Sequence, residues 1–129
     1  MVEGARTPVP LDLTGLRVAI TAGAGGIGRV MADSFAACGA RPFVSDVDEA
    51  ALAACGHPGM RADAGSAQEL EAFMRAALDR LGGLDVLVNN AGIAGPTKPV
   101  EEVTPEELDA TLRVDLAAMF HCARLAVPA

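Results

Sequence analysis

A glycine-rich segment near the amino terminus limits most sharply what this chain can fold into. Residues 20–29 read ITAGAGGIGR and contain the pattern G-x-G-x-x-G at Gly23, Gly25 and Gly28. An apolar, β-branched run ends at Ile20, and apolar residues at helical spacing follow the glycines. A strand that turns sharply into a helix uses glycines there, because they allow positive φ and let a phosphate approach the backbone. The segment therefore predicts a phosphate-binding turn between a first strand and a first helix.

An aspartate after the next apolar run supports the same interpretation. Asp46 follows Phe43 and Val44 and lies about twenty residues beyond the glycines, the spacing of the acid that binds the adenosine ribose in dinucleotide-binding βαβ units. Asp46 could instead cap the helix that begins near Glu49, but Asp48 fits the capping role better. We therefore predict a dinucleotide site in which the amino terminus of the first helix faces the pyrophosphate.

Composition and charge narrow the class of protein. Of the 129 residues, 51% are hydrophobic and 21% are charged, which suits one globular domain with a substantial core. The net charge of −7 argues against nucleic acid or an anionic membrane as a partner, since no basic patch could neutralise phosphates. We find no signal peptide, no membrane-length apolar run, no metal-ligand spacing and no CxxC pair. We expect a cytoplasmic protein with reduced thiols and no metal.

Strand-like and helix-like segments alternate along the chain. After an extended tail at 1–14, the predicted strands are 16–21, 41–45, 59–62 and 84–89, and the predicted helices are 26–38, 49–55, 67–81 and 105 onward. Such alternation predicts an α/β fold of the Rossmann type, a doubly wound parallel sheet, here truncated after about four strands. Right-handed crossovers give the order 3-2-1-4 and bring the glycine turn beside residues 89–92. We expect the ligand cleft there, within a single unit at 15–129.

Three motifs resemble those of the short-chain dehydrogenase/reductase family. They are TAGAGGIG at 21–28, where the family has TGxxxGIG, Asp63 after the third strand, and LDVLVNNAG at 84–92. The likeness runs from about residue 13 to 129 and implies the cofactor-binding half of an NAD(P)-dependent oxidoreductase. It implies hydride transfer involving a small alcohol or carbonyl substrate.

The resemblance also implies a set of cofactor-contacting residues. These are Ala22, Gly23, Gly25, Gly26, Ile27 and Gly28 around the pyrophosphate, Asp46 at the adenosine ribose, Asp63 and Ala64 at the adenine, and Asn90 and Gly92 along the crevice. Two alternatives stay open. Asp63 could be a solvated turn acid, and Asn89 with Asn90 could be turn residues that satisfy their own backbone.

Two positions depart from the family pattern. Ala22 occupies the place of the first glycine, and we expect binding to survive the extra methyl group if φ there is negative. Asp115 stands where the family usually has an asparagine that assists a proton relay, and it is the candidate catalytic residue of this chain. In a continuous last helix, Asp115 would share one face with Leu108, Leu112, Leu116 and Met119. We therefore expect its side chain to point inward, protonated or bonded to water.

The family's catalytic serine, tyrosine and lysine have no counterpart at the expected place. The sequence has no tyrosine, and its one lysine, Lys98, follows the NNAG motif. Family members are roughly twice as long, so we interpret the chain as a fragment and expect it to lack dehydrogenase activity alone. The alternative is a non-catalytic nucleotide-binding module or the remnant of a truncated gene.

Two further expectations concern the preference between NAD and NADP and the formation of homo-oligomers. The Asp46 carboxylate would repel a 2′-phosphate, and neither Gly25 nor Val47 supplies a compensating cation, so we expect NAD to be preferred over NADP. Family members usually pair through the helix at 106–126, which carries apolar residues beyond its core face. We expect a full-length parent to form homo-oligomers there. The alternative is that a further strand and helix cover this surface within one subunit.

Overall fold

A computed structural model of the chain describes residues 11–129, so most of the predicted tail lies outside the described residues. The strands are β1 (Arg17–Ile20), β2 (Arg41–Asp46), β3 (Gly59–Arg61) and β4 (Val86–Val88). The helices are α1 (Gly26–Ala37), α2 (Glu49–Ala54), α3 (Ala67–Leu81), α4 (Pro105–Leu112) and α5 (Ala118–Ala126). A 3-10 turn covers Val100–Glu102, and a π-helical turn, Arg113–Ala117, joins α4 to α5. Within the described part, no helix has the length and apolarity needed to cross a membrane.

The four strands form one parallel sheet in the order β3-β2-β1-β4. Val18 of β1 lies opposite Pro42 of β2 and Val86 of β4, and Ser45 of β2 lies opposite Met60 of β3. The predicted Rossmann-type order is therefore confirmed. Because all strands run in the same direction, the turn after β1 and the NNAG turn after β4 lie side by side at one edge of the sheet.

Helices cover both faces of the sheet because successive strand residues point to opposite sides. On one face, α1 and α2 pack against the fully buried Ile20 and Val44. On the other face, α3 and α5 pack against Ala19 and Phe43. The ring of Phe43 stacks on that of Phe73 in α3, with the ring centroids 5.9 Å apart. These two apolar layers hold the sheet rigidly, so the turns at its carboxyl edge have a fixed support.

The last helix is not the continuous one that the sequence predicts. Thr104 caps α4 through the predicted capping box with Glu107, but the π-helical turn inserts one residue and rotates the α5 helix by about 100°. The residues expected on the core face are exposed instead: Leu108, Leu112, Leu116 and Met119. The small side chains Ala118 and Cys122 form the core contact of α5. The expectation that Asp115 points into the core with the four larger residues was therefore wrong.

Candidate functional site

The glycines of the turn after β1 serve different purposes. A Cβ at Gly28 would overlap the carbonyl oxygen of Ala22, and one at Gly23 would come within 2.7 Å of the Val44 side chain. These two positions need glycine for packing. Gly26 has a φ of +51°, yet a Cβ there would meet nothing within 4 Å. The start of α1 therefore faces open space in which a ligand can approach the backbone closely.

The amino terminus of α1 is available to an anion. Within residues 11–129, no side chain accepts a hydrogen bond at this terminus, and its first turn carries no acidic residue. By contrast, Asp48, Ser66 and Thr104 cap α2, α3 and α4 through their side chains. The free N–H groups and the positive end of the helix dipole at α1 therefore remain for a negatively charged ligand. Asp48 takes the capping role that the sequence assigns to it.

Ala22 has positive φ, which lies outside the condition that the sequence analysis set for binding. Its φ is +50°, and it is the one non-glycine residue in the described part of the chain with positive φ. This conformation costs an L-amino acid roughly 1–2 kcal/mol. The condition of negative φ, under which we expected the methyl group to be harmless, is therefore not met. Such strain persists only where neighbouring groups hold the backbone in place.

Three hydrogen bonds between this turn and other elements hold it in place. Asn90 Nδ2 donates to the Ala22 carbonyl (3.1 Å), the Gly23 N–H donates to the Ser45 carbonyl (2.8 Å), and the Ala24 N–H donates to Asp46 Oδ2 (3.2 Å). The residues after β1 are thus tied to the ends of both neighbouring strands, β2 and β4. The strained turn is a fixed part of the edge of the sheet.

Asp46 and Asp63 both line a cleft of about 120 Å³ at this edge. The predicted site residues in its wall are Ala22, Asp46, Asp63, Ala64 and Gly92, and they are joined by Ser45, Val47, Ala62, Ala91, Ile93 and Val114. The cleft is smaller than the pockets of about 300–1,000 Å³ that hold drug-sized ligands. Asn90 follows β4, and the remaining predicted residues continue from this wall along the turn into α1: Gly23, Gly25, Gly26, Ile27 and Gly28.

Asp63 and Asn90 both have structural partners. Asp63 Oδ1 accepts a hydrogen bond from the Gly65 N–H at 2.8 Å, which is the turn described by the alternative interpretation. Asn90 reaches beyond its own turn, because its Nδ2 also donates to the Thr21 carbonyl at 3.2 Å. Both side chains are therefore held rigidly at the cleft edge, whatever else they bind.

Thr21 is a site-forming residue that the sequence analysis missed. It is buried, and its Oγ1 accepts hydrogen bonds from the backbone N–H groups of Asn90 and Ala91, each at 3.0 Å. It therefore fixes the distance between the glycine turn and the NNAG turn. Thr21 is the first residue of the TAGAGGIG motif, but a threonine at the end of a strand can have many roles, so the motif alone did not indicate this one.

The candidate catalytic residue, Asp115, lies in the π-helical turn. Its Oδ1 accepts a hydrogen bond from the Ile93 N–H at 2.8 Å and would be 3.5 Å from a Cβ at Gly92. The half-buried carboxylate thus fixes the loop after β4 beside the cleft. Its catalytic role stays a prediction.

Lys98 is engaged outside the cleft wall. Its Nζ lies 2.9 Å from Glu107 Oε1 and 2.7 Å from Oε2. The hydrogen bond from Lys98 lowers the pKa of Glu107, and the backbone N–H of Thr104 acts in the same direction. Lys98 therefore anchors the loop after β4 to the start of α4.

Comparison with known proteins agrees with this architecture. The family model described as short chain dehydrogenase matches residues 17–129. D-beta-hydroxybutyrate dehydrogenase of Cupriavidus necator is 38% identical, and the match covers 90% of this chain and 48% of that protein. For 2,3-dihydroxy-2,3-dihydro-p-cumate dehydrogenase of Pseudomonas putida, the identity is 35%, with 92% and 49% covered.

Solved structures give the same result. The 3-ketoacyl-(acyl-carrier-protein) reductase from Brucella melitensis, complexed with NADH, superposes with a TM-score of 0.85 and 32% identity over 91% of this chain and 50% of that chain. A short chain dehydrogenase from Burkholderia cenocepacia in complex with NADP gives 0.79 and 31%, over 90% and 51%. This chain spans about half the length of these relatives. It belongs to the short-chain dehydrogenase/reductase family, whose members use NAD(P).

Proposed function

We propose that this chain forms the cofactor-binding part of an NAD-dependent oxidoreductase that acts on alcohols or carbonyls of small molecules. One observation carries the proposal: the uncapped amino terminus of α1 lies beside the carboxylate of Asp46, which bonds to the turn leading into that helix. Free amides suit a pyrophosphate, and a carboxylate suits the hydroxyls of a ribose. The open space at Gly26 fits the same ligand, because phosphates could approach the backbone there.

Different residues would bind different parts of the cofactor. The turn from Ala22 to Gly28 would hold the pyrophosphate, Asp46 the adenosine ribose, Asp63 with Ala64 the adenine, and Asn90 with Gly92 the inner wall. The bound nicotinamide supplies the hydride acceptor or donor in this family. The side chains of this chain bind and orient it, and Asp115 supports the loop beside it through Ile93.

The charges around Asp46 favour NAD over NADP. A 2′-phosphate would meet the carboxylate at the place where NAD presents a hydroxyl, and the next residue, Val47, is uncharged and 55% exposed. Arg61 lies opposite Asp46 in the sheet, but its guanidinium pairs with Glu69 at 2.6 Å. Two negative charges a few ångströms apart near a protein surface repel by about 4 kcal/mol. We therefore propose that NADH binds at least about tenfold more tightly than NADPH.

Titration of the chain with NADH and NADPH tests this proposal. Amide resonances of an isotope-labelled sample report even millimolar binding, and shifts centred on residues 22–28 are expected with NADH. Asp46→Asn removes the charge while nearly keeping the shape, and should reduce the preference for NADH. Asp48→Asn is the matched control, since it removes the same charge two residues away and asparagine caps a helix equally well. Equal affinity of the unchanged protein for both cofactors would refute the NAD preference.

Association through the α4–α5 face belongs to the same proposal. Leu112, Leu116 and Phe120 are exposed and line a groove of about 560 Å³ along this face. Exposed apolar side chains that adjoin one another mark contact surfaces more often than isolated ones do. We propose that the groove is covered by the same groove of a second copy in a homo-oligomer.

The residues available for catalysis support a second candidate function, that of a non-catalytic nucleotide-binding module. The sequence contains no tyrosine, and Lys98 is held by Glu107 at the start of α4. The chain therefore offers no phenol to give a carbonyl its proton and no lysine that is free to lower the pKa of such a phenol. The DNA sequence downstream of codon 129 distinguishes the two candidates, because an in-frame continuation with a Tyr-x-x-x-Lys pattern supports the first and an immediate stop codon supports the second.

A further inference from the structure

We infer that Asp46 is also a positioning residue, which holds the glycine turn in its phosphate-receiving shape before any ligand arrives. The inference rests on the proposed function only for the identity of that ligand. A role at the ribose alone would leave the turn unaffected by Asp46. The hydrogen bonds of its carboxylate indicate that the turn depends on it.

Each carboxylate oxygen of Asp46 has its own backbone partner. Oδ2 accepts from the Ala24 N–H at 3.2 Å, and Oδ1 accepts from the Asp48 N–H at 3.1 Å. Ala24 is 1% exposed, so its N–H has little access to water if this acceptor is removed. A buried donor without a partner costs about 1–3 kcal/mol. The turn would therefore open to reach water.

The conformation of Ala22 makes this opening easier. Ala22 is in the left-handed region at φ +50°, and relaxation toward negative φ would release its strain. The contact of Asp46 with Ala24 resists that relaxation two residues along the chain, and Asn90 resists it at the Ala22 carbonyl. Glycine at position 22 would have no such strain, so the turn would depend less on Asp46.

The consequence is a coupling between cofactor choice and turn shape. An acid at position 46 that disfavours a 2′-phosphate also orders the residues that would bind the pyrophosphate. Replacing Asp46 by an uncharged residue to admit NADP would therefore loosen the phosphate turn as well. Binding of both cofactors should weaken, even though the repulsion of NADPH is relieved.

Amide hydrogen exchange in the ligand-free chain tests the inference directly. In Asp46→Ala, the Ala24 and Gly23 amides should exchange about tenfold faster or more than in the unchanged protein. Gly23 is informative because its N–H bonds to the Ser45 carbonyl, so its acceleration reports opening of the turn and not the mere loss of an acceptor. Asp63→Ala is the control, since it removes an equal charge from the same cleft without a contact to the turn, and both amides should keep their rates.

The variant Ala22→Gly supplies the second measurement. Asp46→Ala should accelerate exchange at Gly23 less when Ala22→Gly is also present, because the strain that drives opening is gone. Unchanged exchange at Gly23 in Asp46→Ala, or equal acceleration in both backgrounds, overturns the inference. If the amides respond as expected but NADH causes no shifts in the unchanged protein, the proposed function fails and the positioning role stands.

Discussion

Arg17 and Asp85 form a bidentate ion pair at the amino-terminal ends of the strands, on the opposite side of the sheet from the cleft. Arg17 Nε and Nη2 each lie 2.9 Å from a different oxygen of the Asp85 carboxylate. The backbone N–H of Arg17 donates to the same carboxylate, and Arg17 Nη1 donates to the carbonyl of Gly82 at 2.8 Å. One side-chain pair therefore joins the start of β1, the segment before β4 and the end of α3.

This pair predicts a specific pH dependence of stability. Hydrogen bonding by Arg17 holds the pKa of Asp85 well below its ordinary value of 3.8. A carboxyl group whose pKa is lower in the folded than in the unfolded state stabilises the fold. This contribution is fully present at a pH above the pKa of the unfolded state, and it is lost as the pH falls from there toward the pKa of the folded state. Asp85→Asn should therefore melt at a lower temperature than the unchanged protein at neutral pH. The difference should shrink once the pH falls below about 4.

Thermal melts followed by circular dichroism between neutral and strongly acidic pH measure this effect. Asp79→Asn serves as control, because Asp79 is an exposed acid on α3 with no bonded partner among the described residues. It should show no loss of stability at neutral pH. A difference between Asp85→Asn and the unchanged protein that grows on acidification would contradict the prediction.

Ala22→Gly should stabilise the protein. The left-handed conformation costs alanine roughly 1–2 kcal/mol, while the greater freedom of glycine in the unfolded chain offsets roughly 0.5–1 kcal/mol. We expect the free energy of unfolding to rise by about 0.5–1 kcal/mol, as measured by urea denaturation. Ala24→Gly is the control in the same turn, since Ala24 lacks positive φ and is buried. That variant should be destabilised, and an equal loss in both variants would show that Ala22 carries no strain.

The sequence predicted the strand order and the place of the cleft because both depend on local patterns. Alternating strands and helices with right-handed crossovers leave few arrangements, and the glycine pattern marks one of the two turns at the switch point. The cap of α2 by Asp48 was predictable for the same reason, since capping involves only neighbouring residues. The sign of φ at Ala22 was not, because it depends on Asn90 and Asp46 from other strands.

The sequence-based predictions failed where the structure depends on residues that are distant in the chain or on an irregular backbone. The periodicity around Asp115 assumed 3.6 residues per turn, and the π-helical turn at Arg113–Ala117 breaks that assumption. Arg17 and Asp85 are 68 residues apart in the chain, so no local sequence pattern predicts that they pair. Thr21 was missed because its partners, Asn90 and Ala91, are distant in sequence. Such contacts become visible only once the sheet has brought its strand ends together.

The groove along α4 and α5 should mediate self-association. Leu116 lines this groove and is 61% exposed, and Leu116→Asp would place a charge in an apolar contact. We expect this variant to weaken association by about tenfold or more, as measured by sedimentation or light scattering at micromolar concentration. Val100→Asp is the control, because Val100 is equally apolar and 85% exposed but lies outside this groove. A monomeric unchanged protein, or equal effects of both substitutions, would remove the proposed interface.

The chain should have no dehydrogenase activity by itself. Hydride transfer to a carbonyl leaves an alkoxide, and a positioned proton donor contributes roughly a hundredfold to ten-thousandfold in rate. The sequence has no tyrosine, and Lys98 is held by Glu107. Asp115 is a poor substitute, because one of its oxygens is fixed by the Ile93 N–H, which holds this side chain against the loop after β4.

The absorbance of NADH, followed with a panel of aldehydes, ketones and alcohols, tests this expectation. The unchanged chain and Asp115→Asn should both match a mock preparation from the same host, which controls for contaminating dehydrogenases. Asp115→Asn keeps an acceptor oxygen for the Ile93 N–H but loses the ability to donate a proton as an acid. Turnover in the purified chain that disappears in this variant would contradict the prediction. It would also identify Asp115 as a catalytic residue, since the loop that it supports would be unchanged.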